Sequence, residues 1–403
     1  MKILSIRVIA FFLITILVSI GTVQGARSSE NPNVIIFYVD DMGYADPSCF
    51  GNPDMETPNI DRFASEGLKL TNYYSNSPIC SPSRVALNTG QAPGRHKVWA
   101  HFASKEQNRV RNMVDFLDPS VQTMARSFKA NGYATAHFGK WHMGGGRDVV
   151  APLPQEYGFE ESLVTFEGLG DRILWDKKGL NGQSAKLGRG NITFVKKHET
   201  TGIYVDRAID FMERHRNEAF YLHVFPNDVH DAHVPDEAWL GKYEKYSTHP
   251  YVQKFYATLD NMDRQFGRLI DSVDEMGLSE KTMIIFTSDN GPTDWPRYYK
   301  EGFTPPGWTG PLYGRKWSLY EGGIRMPFIV RWKGQVPEGK TNETTIMAAV
   351  DLFPSLHAMA GLELPSEWDL DGQDLSKALE GRKMKRKEPV FWEYAGNPGI
   401  LKP

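Results

Sequence analysis

The 403-residue chain contains only two cysteines, Cys49 and Cys80, too few for a disulfide framework. It also lacks a surplus of positive charge. Its 46 Lys and Arg stand against 49 Asp and Glu, a formal net charge of −3, so no basic field favours a nucleic-acid partner. There is no internal repeat and no low-complexity tract. The main uncharged apolar run, Val8 to Ile20, is short for a bilayer-spanning helix, so no stable membrane partner is expected. General disorder is excluded by a composition of 40% hydrophobic and 24% charged residues, which can bury a large core. At about 150 residues per domain the length predicts two to three domains, here one large α/β domain plus something smaller.

What is present begins with an export signal. Lys2 and Arg7 give a positive start, the apolar run follows, and Gly21 to Gly25 supplies small residues before Ala26. Residues 1–25 therefore read as a signal peptide, with an uncleaved anchor as the alternative. Either way the working part lies outside the cytoplasm: periplasmic or secreted, or lysosomal or extracellular in a eukaryote. Asn191-Ile192-Thr193 and Asn342-Glu343-Thr344 are glycosylation sequons, which matter only in a eukaryotic host.

Beyond the signal, strands and helices alternate, which predicts a sheet covered by helices. Val34 to Val39 is a continuous apolar run rich in β-branched residues, as a strand buried on both faces requires. Further strands are expected at Ala134 to Phe138, Phe220 to Phe225, Thr282 to Thr287 and Met326 to Trp332. Helices are expected at Pro58 to Gly67, Ser120 to Asn131, Ile203 to Arg216, Tyr251 to Met276 and Asp351 to Met359. Gly144 to Gly190 and Thr293 to Arg315 are polar, Gly-rich and weakly periodic, and read as long functional loops. The basic run Arg382 to Lys387 reads as a solvated face.

The chemistry-bearing residues gather at predicted strand ends. The first strand runs into Asp40-Asp41, and Thr282 to Thr287 runs through Ser288 into Asp289-Asn290-Gly291. In an open α/β sheet ligands collect beyond the carboxyl ends of the strands. Four oxygen-bearing side chains at two such ends make a site for a hard cation, calcium or magnesium. Each motif alone reads equally well as an ordinary turn. In Cys80-Ser81-Pro82-Ser83-Arg84, Ser81-Pro82 reads as N-cap and first helical position. That puts Cys80 at the positive end of a helix with Arg84 one turn on, a setting for an anion or a nucleophile. A cysteine protease is the naive alternative, and Cys49 reads as a structural cysteine. Lys140-Trp141-His142, the loop His230-Asp231-Ala232-His233-Val234-Pro235, and Lys316 complete a cation-rich pocket for a tetrahedral anionic ester.

Cys80-Ser81-Pro82-Ser83-Arg84, with Leu87 and Thr89-Gly90, resembles the C-x-P-S-R signature of the type I sulfatases. The resemblance extends in order over NVIIFYVDDMG (33–43), TPNIDRFASEGLKLTN (57–72), GKWH (139–142), SDNG (288–291) and YEGGIRMP (320–327). Any one of these is modest; the ordered set is specific. It implies an alkaline-phosphatase-like fold: a large mixed, mostly parallel β-sheet between helices, spanning residues 26–380. Residues 381–403 would be the start of a C-terminal antiparallel subdomain only begun in this chain.

The resemblance also implies roles. Cys80 would be oxidised to formylglycine by a formylglycine-generating enzyme, so that a hydrated aldehyde rather than a thiol attacks sulfur. Asp40, Asp41, Asp289 and Asn290, completed by the modified Cys80, would hold the cation, calcium or else magnesium. Arg84 and Lys140 would hold the hydrate and the sulfate oxygens. His142 would be the base on the second hydroxyl, whose deprotonation re-forms the carbonyl and expels sulfate. His233 and Lys316 would bind substrate and assist departure of the alcohol. Asn88 and Gln91 depart from the commoner family residues Leu and Arg. The implied substrate is a sulfated small molecule or glycan, with aryl sulfates accepted. Trp295, Trp308 and Tyr298-Tyr299 are candidates to stack on a sugar or aryl ring. Competing readings are a phosphodiesterase or phosphonate monoester hydrolase of the same superfamily, and a catalytically silent glycan-binding relative. A two-metal phosphatase needs additional His and Asp ligands, whereas Lys140 and Lys316 stand where a second cation would, which favours sulfate.

Overall fold

The computed structural model describes residues 31–402. The expected signal segment 1–25 lies outside the described residues. The Asn33–Val39 strand is wholly buried, and its side chains divide by parity. Val34, Ile36 and Tyr38 join one hydrophobic cluster, and Ile35, Phe37 and Val39 join the other. This is the two-faced burial that the unbroken apolar run demands.

It lies near the middle of a ten-stranded sheet in the spatial order 340–342, 68–70, 328–331, 282–288, 33–39, 220–225, 134–140, 161–165, 172–174, 192–194. Pairing is parallel throughout except that Phe328–Arg331 runs antiparallel to both Thr282–Ser288 and Leu68–Leu70. One face is covered by helices Pro58–Ser65, Thr200–Arg214 and Pro250–Glu275. Helices Cys80–Thr89, Met124–Ala130 and Ala349–Ala360 cover the other. The expected mixed, mostly parallel sheet between helices is what forms.

Two expectations need correction. Gly144 to Gly190 is not one long loop: it carries strands Glu161–Thr165 and Arg172–Leu174 and helix Gly179–Lys186, and Ile192–Phe194 closes that edge of the sheet. Met326 to Trp332 is not one strand. Pro327, which has no N–H to donate, divides Arg325–Met326, in a separate three-stranded sheet, from Phe328–Arg331. At the C-terminal end Val390–Tyr394 and Asn397–Leu401 form an antiparallel hairpin. Trp392 anchors it, buried beside Tyr74, with its indole N–H donating to Ser75 O at 2.7 Å. Among the described residues no helix is long and apolar enough to cross a membrane.

Candidate active site

Four adjacent parallel strands deliver their carboxyl ends to one place. Strand 33–39 delivers Asp40 and Asp41, and strand 282–288 delivers Asp289 and Asn290. Ala134–Lys140 ends on Lys140, and Phe220–Phe225 leads into the loop bearing His230 and His233. The backbone is bent to do this. Asp41 and His142 hold left-handed φ values of 62° and 52°, conformations that persist only where surrounding structure enforces them. Gly139, at φ +128°, passes so close to strand 220–225 that a Cβ there would lie 2.1 Å from Phe225 O. Only glycine lets Lys140 follow at that point.

Cys80 is the first residue of the helix Cys80–Thr89, with Ile79 as N-cap. The helix thus begins earlier than Ser81-Pro82 suggested. Ser83 N already bonds to Ile79 O at 3.3 Å, and Ser81 Oγ accepts from Phe102 N at 3.0 Å instead of capping. Cys80 Sγ lies 3.5 Å from Asp40 Oδ1 and 3.9 Å from Asp41 Oδ1. Burial pushes its thiol pKa well up, despite Lys140 and Lys316 nearby, so the unmodified side chain is a poor thiolate nucleophile.

The acids are held by three buried cations. Lys140 Nζ grips both oxygens of Asp40, at 2.8 and 2.6 Å. Lys316 Nζ grips both oxygens of Asp41, each at 2.7 Å. Arg84, fully buried under Tyr38 and Phe225, donates to Asp289 Oδ2 and to Lys140 O, both at 2.8 Å, and stands 3.4 Å from Asp40 Oδ1. Burial alone would raise the pKa of Asp40, but Lys140, His230 and Arg84 hold it well below the carboxylate range. Asp289 goes the other way: burial, then the charge of Asp40, push it up to about 7.

The histidines differ. His142 is buried, and burial followed by the charge of Lys140 keeps it neutral. With Nε2–H directed at Phe102 O (3.4 Å), its Nδ1 has no partner and is free to accept a proton. His233 hydrogen-bonds through Nε2 to Val229 O at 2.9 Å, packs on Phe255, and keeps Nδ1 unpartnered. Of the two loop histidines the sequence favours His233 as the functional one, yet it is His230 whose Nε2 lies 3.6 Å from Asp41 Oδ2. Two histidines three residues apart were the available signal, and only the folded loop shows which one reaches the acids. That loop is tied down by buried Lys197, which donates to His230 O and Ala232 O at 2.6 and 2.7 Å. Trp295 and Trp308 are partly exposed, and Tyr299 is exposed while Tyr298 is buried and bonds Asp231, so Tyr298 is not available for stacking.

The donor set suits a divalent cation. Ligand atoms of Asp40, Asp41, Cys80 and His230 all lie within 4.8 Å of one another. Asn290 donates through Nδ2 to Asp41 Oδ1 at 2.8 Å, while its buried Oδ1 has no hydrogen-bond partner. An orphaned carbonyl-type oxygen beside carboxylates is what a hard cation binds.

A set of strand ends of this kind, with one cysteine at a helix start among acids and lysines, defines a hydrolase of anionic esters. The Sulfatase family model matches residues 32–362, and the chain belongs to that family and is a sulfuric ester hydrolase. It is 28% identical over 438 residues to an N-acetylgalactosamine-6-O-sulfatase of Bacteroides thetaiotaomicron, covering 93% of this chain and 81% of that protein. It is 30% identical over 387 residues to the Homo sapiens N-acetylgalactosamine-6-sulfatase, covering 91% and 69%. Among solved structures it is similar in fold to Ps i-CgsB in complex with k-i-k-neocarrahexaose. The TM-score is 0.77 at 24% identity, over 92% of this chain and 82% of that one.

Proposed function

We propose that this hydrolase removes sulfate from a glycan, with Cys80 matured to formylglycine beside one calcium ion held by Asp40, Asp41, Asp289 and Asn290. The observation that carries the reading is the convergence of Cys80 on Asp40 and Asp41, each of those carboxylates clasped by its own lysine. The glycan is supported by the two N-acetylgalactosamine sulfatases that match nine-tenths of this chain. The matured side chain supplies a hydrated aldehyde with two hydroxyls, and the cation supplies charge that polarises a sulfate oxygen and acidifies the attacking hydroxyl.

The remaining work falls to residues of this chain. Arg84 is fixed by Asp289, Asp40 and the Lys140 carbonyl, so it orients the end of the helix that carries residue 80. Lys140 and Lys316 are the ammonium donors for sulfate oxygens. Lys316 stays protonated because Asp41, against the effect of burial, raises its pKa. Neutral His142 accepts the proton of the second hydroxyl at Nδ1. His233 and Lys316 face the leaving oxygen, and His230 joins them as a second imidazole of the same loop. Residues 1–25 direct export, and a formylglycine-generating enzyme acts on the chain before it works.

Peptide mass spectrometry tests this directly. In protein from its own host, tryptic peptide 70–84 is expected to carry an aldehyde or its hydrate at position 80. An intact thiol there, in protein that still cleaves sulfate esters, overturns the proposed nucleophile.

A further inference from the structure

Beside the reaction centre lies a cavity of about 410 Å³, lined by Trp99, Ala100, Arg111 and the hairpin residues Glu393 to Gly396. Arg111 ends the short helix Lys105–Val110. Its guanidinium donates through Nη1 to His101 O at 2.9 Å and meets the His101 ring nitrogen at 3.4 Å. Among the described residues no carboxylate lies within ion-pair distance of it. Its neighbour Arg147 is by contrast committed to Glu167 at 2.7 Å. Glu393, the one acid of the lining, is exposed and makes no ion pair with Arg111. A half-buried guanidinium without a counter-ion is costly, and burial and Arg147 both weaken its hold on the proton.

His101, which Arg111 contacts, links the wall of this cavity to His142. The two imidazole rings stand 6.4 Å apart. Tyr394, in the opposite wall, feels the charges of Arg111, Lys316 and Cys80 together. Trp99 is held by its indole N–H on Arg111 O at 2.9 Å, which leaves a partly exposed aromatic wall next to the free cation.

We propose that Arg111 binds a second anionic group of the substrate, a carboxylate or sulfate on the sugar next to the one that loses its sulfate. The proposal rests on the glycan reading above and narrows it to polyanionic chains. The planar guanidinium fork suits either oxyanion, and Trp99 and Tyr394 supply the apolar faces on which a sugar ring rests.

The test compares kcat/KM on four substrates for wild type, Arg111→Gln and Arg111→Lys, all with confirmed formylglycine. Two carry no second anion: para-nitrophenyl sulfate and monosulfated N-acetylgalactosamine. One pairs a uronate with monosulfated N-acetylgalactosamine, and one is a disulfated disaccharide without uronate. Loss of a charge-assisted hydrogen bond predicts that Arg111→Gln lowers the preference for a doubly anionic substrate about 10- to 100-fold, chiefly through KM. Arg111→Lys should retain part of it. The doubly anionic substrate that shows the effect identifies carboxylate or sulfate as the ligand. An equal fall on all four substrates, or no change in preference, overturns the proposal while the glycan reading stands. Wild-type protein that cleaves the aryl sulfate and no sugar sulfate overturns both.

Discussion

Asn290→Leu separates a cation ligand from a structural amide, because only loss of a ligand removes the stabilisation that calcium adds. Without a cation, Asn290 Oδ1 is a buried acceptor with no partner, a cost of about 1–3 kcal/mol. Its Nδ2 offsets this with bonds to Asp41 Oδ1 at 2.8 Å and Gly291 O at 2.9 Å, of which the first goes to a charged group and contributes about 1.5–3 kcal/mol. Asp41 Oδ1 keeps Lys316 at 2.7 Å when the amide is removed. The leucine variant in excess chelator should therefore lie within about 2 kcal/mol of wild type. With calcium at about 100 times the wild-type Kd, linkage adds about 2.7 kcal/mol to wild type. For a body spanning 31–402, at about 2.1 cal/mol/K per residue, that is roughly 3–4 °C in Tm. Removing a ligand weakens cation affinity by at least the 10- to 100-fold that outer-shell changes cost. At the 100-fold end the calcium-induced shift of the variant falls to below about 1 °C. Scanning calorimetry of both proteins with chelator and with calcium reads all four values. A variant that keeps the wild-type calcium shift, or a wild type that shows none, refutes the assignment of Asn290 to the cation.

Cys80→Ser should accept sulfate once and then stall, because a serine ester lacks the second hydroxyl from which, in the proposed scheme, His142 takes a proton. Later turnovers should fall by about 10²–10⁴-fold, with a sulfated peptide 70–84 visible by mass, and sustained turnover counts against the two-hydroxyl scheme. Trp392→Ala removes a ring buried beside Tyr74 together with its bond to Ser75 O. It should cost about 3–5 kcal/mol in urea unfolding, and a cost under about 1 kcal/mol shows that the hairpin is not bound to the body. His357, buried between Ser127 Oγ and Phe353 O, has its pKa lowered by burial to about 4. Between its unfolded value near 6.5 and pH 4 the unfolded chain binds a proton that the folded chain refuses. Stability is therefore highest above pH 6.5 and falls by as much as about 3 kcal/mol as pH drops to 4. Urea midpoints of His357→Gln at pH 7 and 4.5 should show a smaller acid loss than wild type, and an equal loss refutes this attribution.

The site was legible where its residues punctuate buried strands. An apolar run such as Val34–Val39 can stop only at a polar residue, so Asp40-Asp41 and Asp289-Asn290 stand out as strand ends, and parallel pairing brings such ends together. The edge strands after Gly144 were not legible, because segments of three to five residues, such as Arg172–Leu174, are too short to show a period. The reach of His230 to Asp41 was not legible either. A loop conformation held by Lys197, from a separate helix-leading turn, sets which imidazole faces the acids, and no spacing rule encodes that. Arg111 escaped for a related reason: a surface arginine is ordinary until the fold denies it an acid.

The charge balance of the pocket explains why cation and substrate belong to one design. Asp40 and Asp41 supply two negative charges and Asp289, whose pKa is pushed up to about 7, part of a third, against the three positive charges of Arg84, Lys140 and Lys316, so the protein alone brings the site close to neutrality. In that state each lysine spends its ammonium on both oxygens of one carboxylate and has little to offer an incoming anion. In the proposed loaded site those oxygens serve a divalent cation, and Lys140 and Lys316 then need another acceptor, while the pocket carries an excess of about two positive charges. A sulfate ester meets both needs: its oxygens accept from the two lysines and its negative charge reduces the excess. Binding of the cation and of the sulfate must then favour each other, and by thermodynamic linkage each tightens the other by the same factor. Arg84 stays outside this exchange, because Asp289 and the Lys140 carbonyl continue to hold it. One cation therefore anchors the nucleophile's helix while the other two are free to change partners, a division of labour that follows from which carboxylate each one grips.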